Sequence, residues 1–292
     1  MMSIAPRDLA LLVGITLIWG LNVVVSKIGL LEIPPILFTA MRFLGLGILL
    51  LPVLRIRRGK MSAVIVAGVL SVGLNFALNF SGLALAENVS SVAIVSQLGV
   101  PFTTLLSVAL LDEVVRWRRW TGIALAFLGV IVMVADPTVG GRWESVALVV
   151  ASAFVSSLGL IAVKKLRGFK PLELQAWFSW VSVPLLIALT VVIERPTLDT
   201  FQGISAKSWG ALAFTTIAAS LVAHTGFYHL VRRYPVTSVA PLTIMSPLFS
   251  ILFGVVLLHD HLSSRIVLGG ACTLAGVVII TLRERRIADT GS

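Results

Sequence analysis

The polar groups able to do chemistry in this sequence stand mostly inside long apolar stretches. Trp19, Asn22 and Ser26 are spaced i, i+3, i+7, so they share one face of a helix. An indole and an amide so placed either line a wet cavity, one giving apolar contact and the other hydrogen bonds, or glue one helix to the next. Asn75 and Asn79, four apart, pose the same choice, as does Gln97 near Pro101. Arg42 lies near the middle of an apolar stretch, where it can attract a carboxylate or cap the carbonyls of a broken helix. Gln175, Trp177 and Trp180 follow, then His224, Thr225 and Tyr228; the tryptophans suit a pocket for an apolar side chain or an interface with lipid headgroups. His224 and Tyr228 share a face, and a buried histidine either carries protons or is a hydrogen-bonded packing residue. Pro101 and Pro247 free carbonyls in the preceding turn and act as hinges or as static bends.

Catalysis is a poor reading of this inventory. His259, Asp260 and His261 are consecutive, so they cannot put three metal ligands on one helical face. Neither Gly-x-Ser-x-Gly nor His-Glu-x-x-His occurs, and there is no ATP-binding segment. The single cysteine, Cys272, permits no internal disulfide and no cysteine-based metal site. An enzyme, a metal centre and a cofactor are therefore not expected. Any pumping must draw on a gradient of an ion or of the substrate.

The elements that position these groups follow from composition. The 292 residues are 58% hydrophobic and only 12% charged, too few charges to clothe a water-surrounded globule of this size. Stretches of about 20 apolar residues, the length that crosses ~30 Å of hydrocarbon, recur along the chain. They fall near 9–28, 34–54, 63–85, 89–111, 119–135, 145–163, 172–193, 209–230, 236–258 and 266–282. The runs are continuous rather than alternating, which predicts helices and not barrel strands. The first run lacks a basic leader and a clear cleavage site, so it is read as a retained helix.

The formal charge of +10 invites a nucleic-acid reading, but the basic residues form no single block and no aromatic platform. They sort by side of the membrane instead. One side carries Arg7; Arg55, Arg57, Arg58 and Lys60; Arg116, Arg118 and Arg119; Lys164, Lys165, Arg167 and Lys170; Arg232 and Arg233; and Arg283, Arg285 and Arg286. The other carries only Lys27, Arg142, Arg195, Lys207 and Arg265, and Arg42 remains inside a span. A split of 17 to 5 that alternates with each crossing is the positive-inside pattern, placing both termini in the cytoplasm. No nucleic acid is expected as a partner; the bilayer and a small molecule are.

The chain also repeats itself. A shift of 147 residues superposes 89–131 on 236–278 without a gap, matching Ser91-Val92-Ala93 to Ser238-Val239-Ala240, Phe102 to Phe249, Leu110-Leu111 to Leu257-Leu258, Gly122 to Gly269 and Gly129-Val130 to Gly276-Val277. A slightly smaller shift sets Lys27 against Lys164 and Pro34 or Pro35 against Pro171. Two units of five helices follow, over 1–140 and 141–292. Five is odd, so the second unit starts on the opposite side and the repeats are inverted, a design of secondary transporters with a site between the halves. Gly122 and Gly129, like Gly269 and Gly276, are seven apart, marking close packing within the bundle or a dimer seam.

Ile18-Trp19-Gly20-Leu21-Asn22, then Pro34-Pro35 through Ala40-Met41-Arg42-Phe43, and two copies of small-residue helix, proline, Leu-Leu-acid and glycine-rich helix resemble the EamA-type transporters of the drug/metabolite transporter superfamily. The nearest likeness is to its exporters of aromatic and other neutral amino acids. The resemblance implies an all-α membrane protein of ten helices around a central cavity, exporting small metabolites across a bacterial inner membrane as a monomer or weak homodimer. The candidate substrate-binding set is then Trp19, Asn22, Arg42, Asn75, Asn79, Gln97, Trp177, Trp180, His224 and Tyr228, with Pro101 and Pro247 as hinges. Export of lipophilic cations or nucleotide sugars is the alternative within transport, and a membrane-embedded, lipid-associated structural protein or enzyme is the alternative outside it. The sequence departs from the family pattern at His259-Asp260, which ends span nine where span four ends in Asp112-Glu113, and at Ser246, which precedes Pro247 where a glutamate is common. No Asp or Glu is expected inside the membrane to couple protons, which argues for facilitated diffusion.

Overall fold

The structure is a computed structural model that describes residues 5–56, 60–111, 115–164, 166, 168–234 and 239–288. Arg57, Arg58, Asp112, Glu113, Lys165, Arg167 and the first residues of the ninth expected span lie outside the described residues. Among those described there is no strand. Eight helices are long and apolar enough to cross a bilayer: α1 (Pro6–Gly29), α3 (Met61–Leu85), α4 (Val89–Leu111), α5 (Trp117–Val134), α6 (Trp143–Val163), α7 (Pro171–Glu194), α8 (Ala206–Val231) and α10 (Ser264–Thr281). Two shorter apolar helices, α2 (Pro35–Leu49) and α9 (Leu242–Leu258), stand at the second and ninth expected spans. The expected second span ran to 54, but the α-helix stops at Leu49 and a 3₁₀ turn over Leu51–Val53 follows, where Pro52 cannot continue the helical ladder.

Local sequence explains where the helices begin. Proline occupies the first turn of α1, α2 and α7, where its missing N–H is no loss. Between 28% and 39% of each long helix's most apolar window is buried. The remaining apolar surface, including Leu128, Ile131, Val192, Val256 and Leu268, faces outward and needs lipid to cover it.

The helices pack in pairs: α5 on α10, α3 on α6, α2 on α7, α1 on α8 and α9, and α4 on α6 and α9. Exchanging each helix of the first five with its counterpart in the second five leaves this set unchanged. The tightest pairing is α5 with α10. A methyl group on Gly129 would lie 2.4 Å from the Gly269 carbonyl, and one on Gly122 would lie 2.9 Å from that of Gly276, so the two helices run antiparallel with backbones in contact. The glycines thus pack within one chain, which is the first of the two roles their spacing allowed.

Several helices depart from regular α geometry. π turns interrupt α3 at Val69–Leu74, α8 at Thr215–Ala223 and the end of α7 at Thr190–Glu194. 3₁₀ turns precede Pro101 in α4 (Ser96–Leu98) and Pro247 in α9 (Ala240–Ile244). Such irregular turns are tolerated at membrane depth only where protein or a cavity satisfies the displaced backbone groups.

Candidate functional site

The π turn of α8 is the scaffold of the site. Widening the turn draws side chains onto carbonyls that an α-helix would use internally. The carbonyl of Ala219 lies 2.8 Å from His224 Nδ1 and accepts from Trp19 Nε1 at 3.4 Å. The carbonyl of Ser220 accepts from Gln175 Nε2 of α7 at 2.6 Å. Ser220 Oγ donates to the Thr215 carbonyl at 2.9 Å and accepts from Arg42 of α2, from Nε at 3.0 Å and from Nη2 at 2.8 Å. One residue therefore fixes a guanidinium and an amide that arrive from two other helices.

Arg42 is 2% exposed, and no acidic side chain pairs with it among the described residues. Its guanidinium carbon sits over the rings of Phe43, Phe76 and Phe80, at 5.6, 5.1 and 5.5 Å. Ring faces attract a cation but do not neutralise it. Arg42 Nη1, a donor, and Gln175 Oε1, an acceptor, are among the buried atoms left without a hydrogen-bond partner among the described residues. Both residues line a cavity of about 430 Å³ whose polar wall also holds Ser71, Ser220, His224 and Tyr228. Its apolar wall includes Phe43, Phe76, Phe169 and Phe178. A few convergent polar groups in an apolar chamber of this size are the composition of a small-molecule site.

The cavity has a direction. A second cavity of about 730 Å³ meets it at Pro171 and Tyr228 and is rimmed by Arg55, Lys170 and Arg233. The mouth thus lies at the basic face. At the opposite face the halves are tied across by carboxylates set on backbone amides. Glu194 accepts from Ile36 N and Leu37 N at 2.6 and 2.8 Å, Glu32 from Ser205 N at 2.8 Å, and Asp260 from Ser90 N and Oγ at 2.7 and 2.6 Å. Lys27 Nζ donates to the carbonyls of Leu83, Ala84 and Ala86, closing the end of α3. Hydrogen bonds from Ser208 first, and then from Ser205, hold the Glu32 carboxyl below its ordinary range. Those from Ser263 and Thr138 do the same for Asp136.

The candidate residues separate into those brought together and those held elsewhere. Arg42, His224 and Tyr228 face the cavity, and Trp19 stands behind His224 with ring centroids 5.1 Å apart. Asn22 Oδ1 and Ser26 Oγ on α1 are buried without partners among the described residues. Asn75 lies between helices, donating to the Ser71 carbonyl and accepting from Ser152 Oγ of α6, while Asn79 reaches Ser96 of α4. Trp180 donates to the Gly47 carbonyl in the α2 and α7 contact, and Trp177 donates to the Arg55 carbonyl at the basic rim. Gln97 sits in the 3₁₀ turn before Pro101, and Pro101 and Pro247 are buried.

The expectation of no acidic group inside the spans is corrected at the two ends of α7. Glu173 is buried in its first turn and Glu194 closes its last, because each caps a helix N-terminus: Glu173 accepts from Lys170 N, and Glu194 from α2. Sequence reasoning missed the place of Ser220 and of the phenylalanine wall. A serine in an apolar run is an ordinary packing residue, and only the π turn gives it two partners.

Helices of membrane-spanning length surround a cavity whose one full charge has no acidic partner among the described residues, an arrangement suited to a membrane transporter. Comparison with known proteins agrees: the EamA-like transporter family matches residues 8–135 and again 143–282, and the chain belongs to that family. It is 26% identical over 98% of its length to a probable amino-acid metabolite efflux pump of Escherichia coli, covering 99% of that protein. To the protein of the same description in Salmonella typhimurium it is 28% identical, with the same coverage of each chain. An uncharacterized inner membrane transporter of Escherichia coli, YedA, is 27% identical over 93% of this chain and 89% of its own. A solved crystal structure, 19% identical, superposes with a TM-score of 0.63 over 96% of this chain and 98% of that one, which shows the fold.

Proposed function

We propose that this protein is a secondary transporter that exports small amphipathic metabolites, amino acids with apolar or aromatic side chains first, across a bacterial inner membrane. It crosses the bilayer ten times as two inverted five-helix units, 1–140 and 141–292, with both termini cytoplasmic. The exchange symmetry of the helix pairs and the antiparallel glycine seam support this arrangement. The observation that carries the reading is the buried, unneutralised Arg42 in a chamber that opens at the basic face. A substrate carboxylate arriving from the cytoplasm supplies the missing counter-charge, and the phenylalanine wall receives its side chain. A lipophilic cation would be repelled by the same group.

In the cycle, substrate enters from the basic face and is bound at Arg42, with His224, Tyr228 and Trp19 beside it. The halves then rock about the irregular turns at Pro101 and Pro247, releasing the carboxylate ties of the opposite face as the basic mouth closes. The relatives described as amino-acid metabolite efflux pumps support the substrate class and the direction. The test is transport in proteoliposomes loaded with labelled neutral and aromatic amino acids. Movement faster than from protein-free vesicles is expected. If no amino acid moves faster, the substrate class is wrong; if no metabolite of any class does, transport by this cavity is wrong.

A further inference from the structure

We propose that Arg42 and Gln175 are the two poles of a zwitterion-reading site, in which Arg42 Nη1 takes the carboxylate of a free α-amino acid and Gln175 Oε1 takes its ammonium. The assignment deepens the transport reading above and rests on it. Its basis is which atoms are used and which are left. Three atoms of the two planar groups are consumed by Ser220: Nε and Nη2 of Arg42 on its hydroxyl, and Nε2 of Gln175 on its carbonyl. Those bonds orient both planes and fix the amide so that nitrogen faces α8 and oxygen faces away. What remains is one charged donor and one neutral acceptor, both buried and both without a partner among the described residues, on residues lining the same cavity.

The complementarity is specific. Buried polar atoms left unpaired are costly, and a ligand that pairs both removes two such costs at once. A carboxylate is the natural acceptor for Nη1, and an amide oxygen is a natural acceptor for an ammonium. An α-amino acid carries the two groups on one carbon, matching poles that are held by a single residue. An ester, an N-acyl derivative or a decarboxylated amine satisfies one pole only. Gln175 is thus a specificity-determining residue, and Ser220 positions both poles without touching substrate.

The experiment uses the full chain in proteoliposomes, with labelled phenylalanine as the transported probe and three competitors: phenylalanine methyl ester, N-acetylphenylalanine and phenethylamine. On the wild type, each competitor is expected to be at least about tenfold weaker than unlabelled phenylalanine, the scale of one lost hydrogen bond to a charged group. In Gln175→Met the penalty on the N-acetyl compound falls about tenfold, while that on the ester stays. In Arg42→Gln the ester penalty falls and the N-acetyl penalty stays. Ser220→Ala weakens both. The wild-type comparison needs no variant to fold. If phenylalanine moves but the blocked forms compete equally well, or if Gln175→Met keeps its full discrimination against the N-acetyl compound, the two-pole assignment is overturned and transport stands. If no labelled amino acid moves, the amino-acid substrate class falls and the assignment with it.

Discussion

Replacing Arg42 by methionine should silence transport without unfolding the protein. Placing an arginine at the centre of a membrane helix costs about 2.5–3.5 kcal/mol on the insertion scale. Against this stand its charge-assisted bonds to Ser220, about 1.5–3 kcal/mol, and its contact with three phenylalanine rings, about 0.5–1 kcal/mol each. The two sides balance to within a few kcal/mol. Methionine removes both, fills much of the same volume against the same rings, and orphans no polar atom, because Ser220 Oγ still donates to the Thr215 carbonyl. The expected change in unfolding free energy is within about 2 kcal/mol, a shift of roughly 4–8 °C at most by the usual scaling for a chain of this size class. Transport should fall at least about tenfold, since the proposed substrate carboxylate loses the charged partner that Arg42 supplies. Thermal unfolding in detergent and uptake into vesicles are measured on the same preparation. A collapse of stability by the ~3–5 kcal/mol typical of breaking a buried charge network, or transport at the wild-type rate, would refute the argument. The first result would make Arg42 a structural cap, and the second would make it a bystander.

Three further expectations follow from other parts of the molecule. Gly129→Ala and Gly269→Ala should each cost about 1–3 kcal/mol in thermal unfolding, because the new methyl would meet a facing carbonyl at 2.4 Å, whereas Gly14→Ala, with nothing within 4 Å, should be neutral; equal effects would remove the seam. Asp260→Ala should cost about 1–2 kcal/mol as a lost cap and increase labelling of a cysteine introduced at Ser90 from the face opposite the basic mouth, and unchanged labelling would show that this tie does not hold the face shut. The Glu32 and Asp136 carboxyls, held below their ordinary range by hydrogen bonds, stabilise the fold at every pH above that range and lose the contribution only as pH falls through the lowered values. Thermal stability should therefore show no loss from these two groups between neutral and mildly acidic pH. Vesicle transport is separately expected to ignore an imposed pH gradient, and a rate that follows the gradient would establish proton coupling.

Much of this was legible from residue order alone, for one physical reason. A bilayer imposes a fixed length of apolar chain on every crossing, so runs of about 20 residues gave the helices to within a few positions. The same medium made Arg42 conspicuous, since a charge there must have a reason. The glycine spacing and the 147-residue shift likewise pointed to two related units. Composition could not tell which candidate polar groups meet. Asn75 and Asn79 have the same spacing and type as plausible cavity residues, yet one bonds across to α6 and the other to α4. The partner of Gly129 was also hidden, because small residues signal close approach without naming the facing helix.

What the sequence by itself determined is thus the medium, the approximate extent of most of the apolar helices, and the presence of a cation inside one of them. What only the tertiary structure decided is the site. The π turn over Thr215–Ala223 turns the Ser220 hydroxyl and carbonyl toward Arg42 and Gln175, residues 178 and 45 positions away along the chain. A change of one residue per turn leaves hydropathy untouched, so no sequence pattern announces it, yet it settles which atoms of Arg42 and Gln175 are consumed and which two are left without a partner among the described residues.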